Sequence, residues 1–175
     1  MQKNLIIFTD IGDTVVDEGT EVKVPGTELV LQASCIPGAV DTMRRLYDEG
    51  YTILMVADGL VQSFHNSMTQ NGLDDIFAAK IISQQVGEQK PSQKMFQAAM
   101  DAAGLTEADK RRVIMVGNNI RRDVLGANRF GIRSVLLTWS PRYKYEAETP
   151  EMEPSYRIAK PEELLDLVHR LEAEL

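Results

Sequence analysis

The sequence predicts an α/β fold of three layers, with helices on both faces of a central parallel sheet. Two kinds of segment alternate along its 175 residues, and their order predicts the fold. Short apolar runs at 5–8, 52–56, 113–116 and 134–137 lack polar alternation, as strands buried on both faces do. Between them lie stretches in which apolar residues recur at helical spacing. Glycine and proline fall at the junctions.

In chain order, Leu5-Ile6-Ile7-Phe8 is the first strand and runs into a polar cluster around Asp10. Residues 15–34 are irregular, with room for a short hairpin. Pro37-Gly38 opens the first long helix, whose stripe is Val40, Met43, Leu46 and Tyr47, and Glu49-Gly50 closes it. Residues 52–56 form the next strand, followed by a weaker one at Lys80-Ile81-Ile82. A second helical stripe is Phe96, Ala99, Met100 and Ala103, ended by Ala103-Gly104. Strands at 113–116 and 134–137 follow, then a loop over 141–154 assigned to the surface by its composition. A helix with Leu164, Val168, Leu171 and Leu175 on one face closes the chain. No repeat or low-complexity segment interrupts this order, so residues 1–175 read as one domain.

Composition narrows the class. With 43% hydrophobic and 26% charged residues, the chain has the balance of a soluble globular protein. No apolar run approaches the roughly 18 residues of a membrane span. The four-residue apolar opening is too short for a signal core, so a cytoplasmic protein is expected. The single cysteine, Cys35, excludes an internal disulfide and reads as a small buried filler. A net charge of −7 argues against a nucleic-acid backbone as partner. Lys110-Arg111-Arg112, the one basic cluster, reads as a solvated helix end. Phosphate remains open as a ligand, because a site can supply its own lysine and metal ion.

In parallel sheets, ligands bind at the carboxyl ends of the strands. Four such ends carry polar clusters here: Thr9-Asp10-Ile11-Gly12-Asp13-Thr14, Ala57-Asp58-Gly59, Gly87-Glu88-Gln89-Lys90-Pro91, and the run from Gly117-Asn118-Asn119 to Asp123. They would converge on one crevice holding Asp10, Asp13, Asp58, Asp123 and Lys90. Carboxylates crowded in this way repel unless a hard cation sits among them. The competing reading makes Asp58 and Asn119 helix caps and Lys90 a solvated loop lysine.

These four clusters resemble, in order and spacing, the signatures of the haloacid dehalogenase-like (HAD) hydrolases, over nearly the whole chain. A strand running into Asp-x-Asp-x-Thr is matched at Phe8 to Thr14, except that Gly12 stands at the second Asp. A strand ending in Ser or Thr is matched in position by Ala57, before Asp58-Gly59. The lysine before proline is Lys90-Pro91. The Gly-Asp-x-x-x-x-Asp signature is matched from Gly117 to Asp123, with Gly126-Ala127 beyond it and Asn118 at its first acidic position.

The resemblance implies a Rossmann-like HAD fold of the capless subtype, since neither 14–37 nor 59–90 has room for a cap domain. It implies a Mg²⁺-dependent phosphatase in which Asp10 attacks phosphorus and forms an aspartyl-phosphate. Asp10, Lys90 and Asp123 would be catalytic. Thr14, Asp58, Gly59, Lys90 and Asn119 would hold the phosphate, and Asp10, Gly12, Asn118 and Asp123 would hold the metal. The substrate would be a phosphorylated small molecule or macromolecule, with no membrane partner, and an uncapped site leaves a covering homo-oligomer open. Three departures weaken the chemistry: no general acid at Gly12, no hydroxyl at Ala57, and a neutral ligand at Asn118. Restoring a carboxyl by Gly12→Asp is expected to speed the release of poor leaving groups. Two other readings stand beside this one: a catalytically weak phosphate-binding or interaction protein, and a metal-independent haloacid dehalogenase.

Overall fold

The computed structural model describes residues 2–175. Its strands are β1 (Ile6–Thr9), β2 (Val22–Lys23), β3 (Val30–Gln32), β4 (Thr52–Ala57), β5 (Phe77–Ile82), β6 (Val113–Gly117), β7 (Arg133–Leu137) and β8 (Tyr156–Ile158). Its helices are α1 (Ala39–Asp48), α2 (Val61–Gln70), α3 (Ser83–Val86), α4 (Gln93–Ala102), α5 (Leu125–Phe130) and α6 (Glu163–Ala173).

Six strands form one parallel sheet in the order β5-β4-β1-β6-β7-β8. Each central strand divides its side chains between two apolar layers. Ile7, Ile53 and Ile114 are register neighbours and pack with Met43 and Leu46 of α1 and Leu164, Val168 and Leu171 of α6. Phe8, Leu54 and Met115 point the other way, against Met95, Phe96 and Met100 of α4 and Phe130 of α5. This two-sided burial explains the missing polar alternation, and it makes three layers. Gly50 and Gly104 end their helices at φ 95° and 64°, a left-handed conformation that glycine adopts without steric penalty.

The chain runs from β1 outward to β4 and β5, then returns to β6 on the other side of β1. That reversal is the topological switch point, where the strand ends splay and leave a crevice.

Several elements differ from expectation. The weak strand extends over Phe77–Ile82, and α2 and β8 carried no apolar signal. On α2 the buried positions are Ser63, Ser67 and Met68, so its inner face is mostly small and polar. Leu175 lies beyond α6 and is exposed. Within 15–34 the hairpin exists as antiparallel β2 and β3, preceded by a 3-10 turn at Glu18–Thr20. No helical insertion occupies that segment. The basic trio ends a 3-10 helix at Glu107–Arg112, where Lys110 pairs with Glu107 and Arg112 with Asp109.

Candidate active site

Three neighbouring strands deliver the first residues. Asp10 follows β1 and its N–H donates to the Val116 carbonyl of β6, 2.9 Å away. Asp58 follows β4, and Asn118 follows β6. The loop after α3 brings Lys90 across from the side, and a single π-helical turn at Ile120–Val124 brings Asp123 back beneath it. These residues, except Lys90, leave strand ends or the turn just beyond one. All of them line one crevice of about 750 Å³.

Lys90 is the centre of the cluster and is 3% exposed. Its Nζ donates to Asp10 Oδ1 at 3.0 Å, Asp123 Oδ1 at 2.7 Å and the Val56 carbonyl at 2.7 Å. All three ammonium hydrogens are thus placed. Burial opposes the charge on Lys90, but Asp10, Asp123 and Asp58 outweigh it and hold its pKa above the ordinary lysine value. The reading of Lys90 as a solvated loop residue is excluded.

Asp123 is also fully buried. Its Oδ2 accepts the N–H groups of Asn118 at 3.1 Å and Asn119 at 3.0 Å, while Oδ1 takes Lys90. Burial and the charge of Asp10 push its carboxyl up, against the pull of Lys90. Gly117 makes this seat possible, because a Cβ there would overlap the Asp123 carboxylate. Both Asp123 oxygens are therefore engaged in orienting Lys90 and the β6 loop.

The head of the Asn118 amide lies 3.3 Å from Asp10 Oδ2 and 3.1 Å from the Gly12 carbonyl. With its nitrogen turned inward it donates two hydrogen bonds. With its oxygen inward it completes a set of three oxygens, which a hard cation would accept. Asp10, Gly12 and Asn118 thus fit a Mg²⁺ site with one carboxylate. Among the described residues there is no cluster of three or more His, Cys, Asp or Glu side chains suited to a metal.

The expected phosphate-binding residues divide. The Asp58 carboxylate accepts the Lys90 N–H at 3.0 Å, while its buried Oδ2 has no hydrogen-bond partner and lies 3.6 Å from Arg122 Nη1. Burial raises its pKa, against the pull of Lys90. The Gly59 N–H is taken by Ser83 Oγ at 2.8 Å. Asn119 Oδ1 accepts from the N–H groups of Arg121 and Arg122, each at 3.0 Å, which makes it the cap of the turn. Thr14 is buried outside the crevice, with its hydroxyl 3.4 Å from Asn118 Oδ1.

Asp13 does not take over the vacant position at Gly12. It adopts φ 48°, turns away from Asp10 and is fully buried. Arg142 donates to both its oxygens, at 2.9 and 2.7 Å, Ser140 Oγ donates at 2.7 Å, and the Glu18 N–H donates at 2.9 Å. Burial alone would raise its pKa, but Arg142, Ser140 and Glu18 together hold it below the ordinary aspartate value.

Glu18 fills the vacancy instead. A Cβ built on Gly12 would overlap Glu18 Oε1 and lie 3.1 Å from its Cδ. A side chain introduced by Gly12→Asp would therefore meet the Glu18 carboxylate, which already occupies that volume. Tyr143 donates its hydroxyl hydrogen to Glu18, with Oη–Oε distances of 3.1 and 3.3 Å. Burial, then the charge of Asp13, pushes Glu18 up to about 6, against the Tyr143 hydrogen bond. Burial raises Tyr143 to about 12, so it stays a donor. Glu18 and Tyr143 line the crevice, as do Glu21, Lys23 and Glu28 of the hairpin. Sequence reasoning missed Glu18, Arg142 and Tyr143, the last two in a loop expected only to cover surface. Cys35, half-buried, has its thiol pushed up to about 11 by burial, which removes it as a nucleophile.

Fold and site together define an α/β protein with an aspartate–lysine–aspartate centre at its switch point. Residues 22–137 match the family of haloacid dehalogenase-like hydrolases, and the chain belongs to that family. Among curated proteins, it is 27% identical over 135 residues to a glyceraldehyde 3-phosphate phosphatase of Methanopyrus kandleri, covering 77% of this chain and 57% of that one. It is 29% identical over 134 residues to a pyrimidine 5′-nucleotidase of Escherichia coli, covering 76% and 56%. The chain thus spans little more than half the length of these relatives. A HAD phosphatase from Thermococcus onnurineus shares the fold at TM-score 0.74 and 17% identity, over 94% of this chain and 97% of that one. A HAD-hydrolase from Bacillus subtilis, solved bound to magnesium, shares it at TM-score 0.67 and 21% identity, over 77% and 56%. No helix among the described residues is long and apolar enough to cross a membrane.

Proposed function

We propose that this chain is a cytosolic, uncapped HAD phosphatase, acting as one unit on phosphate monoesters with Asp10 as nucleophile. The observation that carries the reading is the buried Lys90, bonded at once to Asp10 and Asp123 in the crevice. A lysine fixed there offers its charge to phosphoryl oxygens while keeping the Asp10 carboxylate oriented. Asp123 positions Lys90. The names of the curated relatives, a sugar-phosphate phosphatase and a nucleotidase, support a small phosphorylated metabolite as substrate.

In the first step a carboxylate oxygen of Asp10 attacks phosphorus, the ester P–O bond breaks, and the alcohol leaves with one proton. In the second, water attacks the phosphorus of the aspartyl-phosphate, the P–O bond to Asp10 breaks, and phosphate departs. Asp10, the Gly12 carbonyl and Asn118 would hold Mg²⁺, which when bound offsets the repulsion between anionic nucleophile and phosphate. Asp58 sits close enough through Lys90 and Arg122 to order the rim of the phosphate seat.

Phosphate release from para-nitrophenyl phosphate, with and without millimolar Mg²⁺, tests this reading. The parent should turn over with Mg²⁺, and Asp10→Asn should remain folded while losing about 10⁴-fold or more, the scale for an essential nucleophile. A folded Asp10→Asn variant as active as the parent would overturn the mechanism.

A further inference from the structure

We propose that Glu18 is the proton donor to the leaving group, reaching from outside the Asp10 loop into the place that residue 12 leaves empty. The inference deepens the phosphatase reading and rests on it. Gly12 lines the crevice with Asp10 and contributes no side chain to it. The φ of Gly12 lies outside the left-handed region, so its backbone does not bar a side chain. The three atoms nearest a Cβ at this position all belong to the Glu18 side chain. The Glu18 carboxyl therefore occupies, within the crevice, the space that a side chain at residue 12 would take.

The surrounding contacts hold Glu18 in that location. Its backbone N–H is fixed by Asp13 Oδ1 at 2.9 Å, at the start of a turn that Asp17 caps by accepting the Gly19 N–H at 2.9 Å. Its carboxyl is fixed by the Tyr143 hydroxyl. Asp13 is itself anchored by Arg142 and Ser140, so its oxygens are unavailable for catalysis. Asp13 and Asp17 thus support the loop, while Glu18 lines the crevice together with Asp10.

The proton balance is complete with water as the only co-reactant. As the ester P–O bond breaks, the Glu18 carboxyl hydrogen moves to the leaving oxygen, giving an alcohol and a Glu18 carboxylate. As water then attacks the aspartyl-phosphate, Glu18 takes one of its protons, and the site returns to its starting state.

The test compares two esters that differ in their need for a proton. Para-nitrophenyl phosphate releases a stable anion, whereas β-glycerophosphate releases an alkoxide. Glu18→Gln keeps size and hydrogen bonding, and should lower kcat on β-glycerophosphate by about 10²-fold or more, within the range for general acid catalysis. On para-nitrophenyl phosphate the loss should be under about 10-fold. Glu18→Ala clears the volume beside residue 12, and the double variant Gly12→Asp/Glu18→Ala should recover at least about 10-fold on β-glycerophosphate over Glu18→Ala alone. Equal losses on both esters in Glu18→Gln, or unchanged β-glycerophosphate turnover, would overturn the assignment while leaving Asp10 chemistry intact. A parent inactive on both esters would overturn the phosphatase reading and this inference with it.

Discussion

Arg142 grips Asp13 through two hydrogen bonds, of 2.9 and 2.7 Å, and so ties the loop after β7 to the loop after β1. Asp13 is fully buried, so Arg142→Ala would strand a carboxylate with fewer partners. We expect a clear loss of stability, moderated because Arg142 is half-exposed. Since the pKa of Asp13 is lowered by folding, its contribution is present at neutral pH. It fades as pH falls from the ordinary value of 3.8 through the folded one. Urea unfolding should therefore find the gap between parent and variant wide at pH 7 and narrower near pH 3.

Asn118→Asp should convert a two-neutral, one-anionic oxygen set into one with two carboxylates. Without metal the new charge opposes Asp10, so the melting temperature should fall. With Mg²⁺ the added Coulomb attraction should tighten binding. Calorimetric titration checks this directly, and a variant that binds Mg²⁺ no better than the parent would remove Asn118 from the proposed ligands.

Gly12→Ala should act through Glu18. The group in the way is the far end of a flexible side chain, which can swing aside. The expected cost is about 1 kcal/mol, the scale of the Tyr143 hydrogen bond it gives up. In a Glu18→Ala background the same substitution should cost nothing measurable. A double-mutant cycle on unfolding free energies reads the coupling.

Glu18→Gln also has a signature in stability. The folded chain holds this carboxyl at about 6, against an ordinary value of 4.5. Between those values the folded state binds more protons than the unfolded state, so stability falls as pH rises through that window. An uncharged glutamine escapes the penalty. Scanning calorimetry should show Glu18→Gln more stable than the parent at pH 8, with the advantage gone near pH 4.

The strands β1, β4, β6 and β7 and the polar clusters of the site were legible because these strands are buried on both faces and each signature lies in one short stretch. Asp10, Lys90 and Asp123 converge as the strand order implies. Glu18 was not legible, since nothing local links it to Gly12: the contact depends on how a 3-10 turn folds back. Arg142 and Tyr143 meet their partners across separations of 125 to 129 residues, from a loop with no periodicity to read. The helix α2 was hidden by its own interior, where Ser63 and Ser67 stand in place of apolar residues. Ser63 serves the hairpin, its Oγ accepting the Val30 N–H at 3.0 Å, and Ser67 Oγ donates back to the Ser63 carbonyl at 3.0 Å.

That seam between α2 and β3 has a kinetic meaning. Asn66 donates to the Val30 carbonyl at 2.9 Å, Gln70 bonds Leu31 and Ala33, and Asn71 bonds the Ala33 carbonyl at 2.9 Å. An enzyme with a swinging lid must open it in each cycle, and that step often paces turnover. A hairpin stitched along a helix has little freedom to hinge. In the proposed phosphatase, entry and exit would then follow the width of a fixed doorway, and selection among esters would be made by what fits through it rather than by what triggers closure.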